Sequence, residues 1–138
     1  MSHNRDRAAT LIRELGLEPH PEGGWYRQTF KSGETVVRDS DQIRRSALTA
    51  IYFLLAEGQH SRRHRVASDE IWTHLEGAAI ILTLDGQTTR LAPLADGGTP
   101  FLVVPRLTWQ AAEVDGEYAL VACFVAPGFE FDDFEMAE

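Results

Sequence analysis

The stretch from Gly58 to Gly77 constrains this chain more than any other part of the sequence. It holds three of the five histidines, three of the arginines and several acidic residues. Glycines bound it at both ends, and apolar runs at 50–55 and 78–84 flank it. Polar and titratable side chains that lie between two core strands usually line a pocket, because burying them elsewhere is unfavourable. The stretch therefore predicts a polar pocket inside a β-structure.

Most of the chain reads as short strands separated by turn signals. Trp25–Lys31 alternates like a half-exposed strand, with 34–38 as its expected hairpin partner. Helical spacing of apolar residues predicts one short amphipathic helix from about Asn4 to Leu15. About nine or ten strands and a single helix indicate an all-β sandwich or barrel. We expect one domain over residues 1–138, with an N-terminal helical segment at 1–18 and a β-barrel at 19–138.

Charge and cysteine content exclude several classes of protein. The formal net charge of -8 argues against nucleic acid or an anionic membrane as a partner, since both require a basic surface. A local basic cluster, Arg62, Arg63 and Arg65, could serve a small anionic ligand or form a solvated strand edge. The one cysteine, Cys123, lies in an apolar run and fits core packing in a reducing compartment. We therefore expect a cytoplasmic protein with a small-molecule ligand.

The spacing of Gly58, His64, Val66, Glu70 and Gly77 resembles the first sequence motif of the cupin superfamily. In that motif a second histidine stands where this chain has Val66. A second cupin motif is matched in part, with proline retained at Pro105, leucine in place of its second glycine, and Gln110 at its histidine position.

One branch of the superfamily resembles this chain more closely. The blocks at 21–27, 49–55, 64–72, 109–111 and 125–131 are similar to the cupin_5 (DUF985) family over nearly the whole chain from about Leu11. The resemblance implies a double-stranded β-helix, or jelly roll, that commonly dimerises through its N-terminal strands. We therefore expect a homodimer, with Gly24–Lys31 at the interface. The resemblance implies no established activity.

Metal-using cupins hold a divalent transition metal through these motif positions. When these positions are transferred to this chain, the resemblance implies His64, Glu70 and Gln110 as metal ligands, because Val66 cannot ligate. This is a weak site unless His60 or His74 joins it. No cofactor is firmly implied, and we expect no tightly bound transition metal.

A metal-free chemistry uses some of the same side chains. If strands alternate regularly, Arg62 shares a face with His64, while Trp72 and His74 share a face with Glu70. We therefore predict His64, Glu70 and Tyr52 as catalytic residues, with His64 as a general base held by Glu70 and Tyr52 as a proton donor. Substrate binding is assigned to the side chains that complete this pocket: Arg62, Trp72, His74 and Gln110.

This arrangement is similar to that of metal-free sugar epimerases of the cupin superfamily. The favoured function is an isomerase or epimerase acting on a sugar or another small polar substrate. Two alternatives remain open, a metal-dependent cupin enzyme of the oxygenase or lyase type and a non-catalytic ligand-binding cupin.

Overall fold

A computed structural model describes residues 3–138 of the chain; residues 1 and 2 of the predicted helical segment lie outside this range. Helix α1 spans His3–Leu15, close to its predicted bounds. The strands are β1 (Glu18–Pro19), β2 (Trp25–Lys31), β3 (Thr35–Val37), β4 (Arg44–Ser46), β5 (Thr49–Ala56), β6 (His60–Val66), β7 (Asp69–Leu84), β8 (Gln87–Leu91), β9 (Phe101–Val104), β10 (Gln110–Ala126) and β11 (Phe134–Met136).

The strands form one curled antiparallel sheet and a small separate one. The main sheet runs β1-β2-β5-β10-β6-β11, and β7 pairs with β10, β8 and β9. Strand β10 pairs with β5 through residues 118–125 and with β6 through residues 110–113, while β7 follows its other edge. A sheet whose central strands change neighbours along their length curls over itself. This arrangement is the double-stranded β-helix that the sequence predicted.

Two strands are longer than the sequence indicated. Strands β7 and β10 each continue through a glycine, a residue type that in a sequence usually signals a turn. Gly77 adopts φ +92° in β7, and Gly116 adopts φ +155° in β10. The β7–β10 register shifts between Asp115 and Ala119, so the glycines lie near an irregularity that bends the strands without ending them.

The predicted hairpin between Trp25–Lys31 and residues 34–38 is wrong. Strand β2 has the predicted bounds, but it pairs with β5. Strand β3 pairs with β4 in the separate two-stranded sheet. Ser32 instead donates its backbone N–H to the Leu48 carbonyl at 2.9 Å, which directs the chain away from a β2–β3 turn.

Strand β5 separates two apolar clusters. Phe53 and Leu55 point to the inside of the barrel, where they pack with Trp72 and other fully buried side chains. Leu54, the residue between them, points outward to a cluster under α1 that contains Leu11. The period of two along β5 therefore sends alternate residues into the barrel and beneath the helix.

Helix α1 is held on the outer face by this cluster and by one polar network. Arg7 donates from Nε and Nη2 to the Glu76 carboxylate at 2.6 and 3.0 Å, and the Tyr118 hydroxyl donates to the same carboxylate at 2.7 Å. The helix thus covers one outer face of the sheet and leaves the barrel interior to other elements. Within the described range, no helix combines the length and apolarity needed to cross a membrane.

Candidate functional site

A cavity of about 260 Å³ opens inside the barrel between β2, β5, β6 and the segment that follows β10. Its wall combines titratable groups with a group of aromatic side chains. The lining residues are His20, Glu22, Tyr26, Gln28, Lys31, Thr49, Ile51, His64, Val66, Glu70, Cys123, Val125, Phe129, Glu130, Phe131 and Phe134. The structure therefore brings His64 and Glu70 to one cavity, as the motif spacing predicted.

His64 is 2% exposed and has a fixed orientation. Its Nδ1 lies 2.7 Å from the Arg62 carbonyl oxygen, and its ring stacks on Phe134 with centroids 5.2 Å apart. A carbonyl only accepts, so this bond assigns the proton of the neutral ring to Nδ1 and leaves a lone pair on Nε2. Burial lowers the pKa of His64, and this effect outweighs the hydrogen bond to the Arg62 carbonyl, which raises the pKa. The imidazole is therefore neutral near pH 7 and can accept a proton at Nε2.

The Nε2 atom of His64 is open to the cavity. Every fully buried side-chain nitrogen or oxygen in the described part of the chain has a hydrogen-bond partner. Nε2 has no partner among the described residues, so it is not fully buried. The accessible surface of Nε2 belongs to a ring that lines the cavity.

Glu22 is the carboxylate beside His64, and the sequence analysis missed it. It is buried, its Oε2 lies 3.5 Å from His64 Nδ1, and it accepts a short hydrogen bond from the Ser61 hydroxyl. Burial raises the pKa of Glu22 well above its ordinary value, and the charge of Glu70 raises it further. Both effects favour the protonated form of Glu22.

A tight turn before β2 positions Glu22 at the cavity. Arg62 donates its backbone N–H to the Glu22 carbonyl at 2.7 Å, which ties the turn to β6. Gly24 adopts φ +74°, and a Cβ there would lie 2.8 Å from the Leu54 carbonyl oxygen, so only glycine fits. Two glycines after a carboxylate were the available sequence signal.

His20 belongs to the same group and was also missed. Its Nδ1 accepts the Glu22 backbone N–H at 3.0 Å and lies 3.3 Å from Glu22 Oε1. Because Nδ1 accepts, the neutral ring carries its proton on Nε2. Burial, and then the charge of His64, lowers the pKa of His20 to about 4. His20 is therefore neutral near pH 7.

Glu70 has a pKa close to neutrality. Burial raises the pKa of Glu70 to about 7, and this effect outweighs the hydrogen bonds from Gln110 and Cys123, which lower the pKa. Gln110 Nε2 donates to Glu70 Oε1 at 2.9 Å. Burial and the neighbouring carboxylates raise the pKa of the Cys123 thiol well above its ordinary value, so the thiol stays neutral. Near pH 7 Glu70 can therefore either donate or accept a proton.

An aromatic segment forms part of the cavity wall. Residues 129–136, here called the C-terminal strap, contribute Phe129, Phe131 and Phe134 to the lining. Within the strap, β11 pairs with β6 alongside His64. These rings give the cavity an apolar face against which the carbon skeleton of a small ligand can pack.

Buried ion pairs fix the C-terminal strap. Asp133 lies 2.9 Å from Arg38 Nη1 and 2.8 Å from Arg45 Nη2. Burial raises the pKa of Asp133, but the bonds from the two arginines outweigh it and bring the pKa to about 2. The charged pairs hold the strap, and with it the aromatic wall, against the body of the protein.

Arg62, predicted to bind substrate, points away from the cavity. The predicted alternation fails because β6 carries an extra residue: His64 is opposite Gln110, whereas Ser61 is opposite Ala112. This bulge places Ser61 and His64 on the inner face and turns Arg62 outward, where its guanidinium contacts the Pro21 carbonyl.

The rest of the basic cluster also lies outside the cavity. The guanidinium groups of Arg63 and Arg65 lie 4.7 and 4.5 Å from the Trp109 ring centroid. Arg65 also donates to Glu135 at 2.8 Å. The cluster is therefore a surface feature stabilised by cation–π contacts.

Tyr52, predicted as a proton donor, is on the wrong face of β5. It packs against the outer cluster beneath α1, because only the residues at odd positions of this strand face the barrel. Tyr26 of β2 brings a phenol to the cavity instead. Burial, and then the charge of Glu18, raises the pKa of Tyr26.

Trp72 and Gln110 lie on the inner face but do not line the cavity. Trp72 packs edge-on against Phe53, with ring centroids 5.7 Å apart. Its indole N–H donates to Gln110 Oε1 at 2.9 Å. Gln110 therefore uses both ends of its amide, one on Trp72 and one on Glu70, and acts as a support for Glu70.

His74 is also outside the cavity lining. Its Nε2 lies 2.7 Å from the Ala78 carbonyl oxygen. The β7–β10 register is regular from Glu70 to His74, so His74 keeps the predicted face of β7 but lies beyond the end of the cavity. The ring therefore serves the local strand structure.

The donor set does not fit a transition metal. Val66 offers no donor, Gln110 already accepts the Trp72 indole proton, and His60 is 62% exposed beside Glu113. Among residues 6–138, whose side chains the structure describes, no three or more His, Cys, Asp or Glu side chains are grouped as metal ligands. We therefore derive no chemical step through a metal.

Comparison with known proteins gives a family but no activity. A hypothetical protein from Leishmania major is 31% identical, with a TM-score of 0.88 over 94% of this chain and 86% of that chain. Protein SO0799 from Shewanella oneidensis is 35% identical, with a TM-score of 0.84 over 95% of this chain and 84% of that chain. KdgF from Halomonas sp. is 19% identical, with a TM-score of 0.63 over 87% and 92%, a likeness of fold alone. No curated protein matches the sequence.

The family profile described as Cupin superfamily (DUF985) matches residues 9–137, nearly the whole chain. The chain therefore belongs to the Cupin_5 family.

Proposed function

We propose that this protein is an isomerase or epimerase that transfers a proton at a carbon atom next to a carbonyl group. The observation that carries the proposal is the open Nε2 of His64 in a cavity that also contains Glu70, whose pKa is about 7. General acid–base catalysis is most effective when the pKa of the catalytic group lies near the working pH.

His64 and Glu70 have complementary roles in this reaction. One of them takes the proton from the carbon, and the electron pair of the C–H bond forms the double bond of an enol. The protonated partner donates to the carbonyl oxygen, which becomes the enol hydroxyl. When a proton returns to the other face of the same carbon, the enol hydroxyl gives its proton back, and the restored carbonyl compound is the epimer. When the proton goes instead to the former carbonyl carbon, a hydroxyl on the neighbouring carbon gives up its proton and becomes the new carbonyl, and the product is the isomer. The neutral His64 imidazole and the partly protonated Glu70 meet these requirements near pH 7.

Glu22 and His20 support this pair. The raised pKa of Glu22 favours its neutral form, which adds little charge beside His64, so the imidazole stays unprotonated and available as a base. His20 presents a neutral ring with its proton on Nε2, a hydrogen-bond donor for a substrate oxygen. No step needs a metal or a redox partner.

The cavity limits the size of the substrate. At roughly 30 Å³ for each water molecule in the liquid, its volume of about 260 Å³ holds about nine water molecules, so the part of a ligand inside it is no larger than a small sugar or organic acid. A polar inner wall facing an aromatic one suits a small sugar or a compound of similar polarity.

Hydrogen–deuterium exchange tests the proposal without knowledge of the product. Small aldoses, ketoses and keto acids are incubated with the protein in deuterium oxide, and loss of the proton next to the carbonyl is followed by NMR. His64→Gln keeps hydrogen-bonding capacity but cannot exchange a proton near neutrality, so exchange should fall by about 100- to 10,000-fold.

His60→Gln is the matched control, because it makes the same change on the exposed face of the same strand. It should leave exchange unchanged. Full exchange by His64→Gln would contradict the proposal. Ligands that bind without any exchange would instead indicate a non-catalytic ligand-binding cupin.

We further propose a homodimer assembled through the β2 face. Among the described residues, β1 pairs only with Trp25 and Tyr26, so one edge of β2 beyond them has no strand beside it. Phe30 of β2 itself is apolar and 51% exposed. An open edge next to exposed apolar residues is typically covered by another chain.

A further inference from the structure

Lys31 is the only lysine of the chain, and a bulge turns it into the cavity. Gln28 is opposite Ile51, but Phe30 is opposite the next residue of β5, Ala50, so Thr29 is the extra residue of β2. Without it, regular alternation would place Phe30 inside and Lys31 outside. Bulges near functional sites commonly redirect a side chain in this way.

Lys31 is the one Lys or Arg among the residues that line this cavity. Opposite Thr49 of β5, it provides a positive charge in a cavity whose buried end holds Glu22 and Glu70. An anionic group of a ligand is attracted to Lys31 and repelled by any charge on the two glutamates. This polarity favours one orientation, with the anionic group at Lys31 and the uncharged end at His64.

In the free protein Lys31 is paired with Glu130 of the C-terminal strap. Lys31 Nζ donates to Glu130 Oε2 at 3.1 Å, and both residues line the cavity. The side chains are 53% and 43% exposed, so water already solvates both charges and the pair contributes little to stability. A ligand carboxylate can therefore replace Glu130 at little loss to the protein.

We propose that Lys31 binds the anionic group of the substrate and that Glu130 occupies its place in the free protein. The substrate class is then a small organic acid, a sugar or keto compound that carries a carboxylate or a phosphate at the end remote from the reacting carbon. The inference rests on the proposed function only in placing the reacting carbon at His64; the binding step stands independently.

The test compares three ligands that share one ring and differ at a single carbon: glucose, glucuronate and glucose 6-phosphate. Binding at millimolar concentrations is followed on protein labelled with ¹⁵N and ¹³C at lysine, where the single side chain gives one ammonium signal. The acids should shift that signal and bind more tightly than glucose. A preference for glucuronate over glucose 6-phosphate identifies the anion as a carboxylate, and the reverse preference identifies a phosphate.

Two substitutions should act in opposite directions. Lys31→Gln should weaken binding of the preferred acid by about tenfold or more, since a hydrogen bond to a charged group is lost. Glu130→Gln should strengthen it, because the competing carboxylate is removed, and neither should change glucose binding. A purely structural ion pair would give two variants with the same behaviour. Arg90→Gln breaks a comparably exposed pair, with Asp115 at 3.0 Å, and is the matched control.

The proposal is overturned if neither acid binds better than glucose, whether all three bind alike or none binds. It is also overturned if Glu130→Gln weakens binding of the acid. If the acids bind no better than glucose but the protein still catalyses deuterium exchange, the substrate of the same reaction is neutral. If the acids bind better but no exchange occurs, the anion site stands and the catalytic proposal is excluded.

Discussion

Replacing Glu70 with glutamine should stabilise the protein in a strongly pH-dependent manner. Burial raises the pKa of Glu70 from 4.5 to about 7 in the folded state. Below about pH 4.5 both the folded and the unfolded chains hold the proton, and burial of the carboxyl carries no ionisation cost. As the pH rises towards 7, the unfolded chain ionises first, so the free energy of unfolding falls.

The size of this effect follows from the two pKa values. One pKa unit corresponds to about 1.4 kcal/mol, so the wild type loses about 3 kcal/mol between pH 4.5 and pH 8. Glu70→Gln cannot ionise and avoids this loss. The difference in unfolding free energy between variant and wild type should therefore rise by about 3 kcal/mol over this range, whatever the constant effect of the substitution on packing and hydrogen bonds.

Urea-induced unfolding, followed by tryptophan fluorescence at several pH values, measures this difference. His20 has the opposite pH dependence. Because its pKa is about 4 in the folded state, the free energy of unfolding decreases as the pH falls below about 6.5. His20 is present in both proteins, so its contribution largely cancels. Glu113→Gln, at a side chain that is 58% exposed, controls for the loss of one carboxylate. A difference that stays constant from pH 4.5 to pH 8 would refute the raised pKa and the role of Glu70 as an acid near neutrality.

Two further predictions concern the C-terminal strap and the assembly. Asp133→Asn should destabilise the protein by about 3–5 kcal/mol, because it leaves Arg38 and Arg45 without their shared buried partner; thermal unfolding measures the loss, and an unchanged melting temperature would contradict the structural role of the pairs. Light scattering should give about twice the chain mass of 15.4 kDa for the proposed homodimer, and a monomer mass at micromolar concentrations would exclude it.

The sequence predicted the fold because the fold is recorded in local patterns and motif spacing. The bounds of β2, β8 and β9 follow from turn residues next to alternating or β-branched runs. Gly77 and Gly116 misled us because a glycine that bends a long strand gives the same local signal as one that ends it. The partner of β3 could not be found locally, because strand pairing depends on segments distant in sequence.

The sequence predicted the residues of the cavity correctly only where they belong to a sequence motif. His64 and Glu70 were found by spacing, but Arg62 was misplaced because one inserted residue in β6 reverses the alternation. Lys31 faces the cavity for the corresponding reason in β2. A single bulge moves every following side chain to the opposite face, and its position depends on the partner strand. Alternation alone therefore cannot locate it.

The pairing of β11 with β6 has a consequence for how the site comes into existence during synthesis. His64 touches Glu22, which is made before it, and Phe134, which is made long after it. A nascent chain that ends anywhere before the C-terminal strap leaves β6 with an open edge and the ring of His64 without its stacking partner. Contacts so distant in sequence form late and slowly. Binding of ligand therefore reports that the C-terminal strap has folded onto the barrel, because a fragment that lacks the strap does not contain the whole cavity.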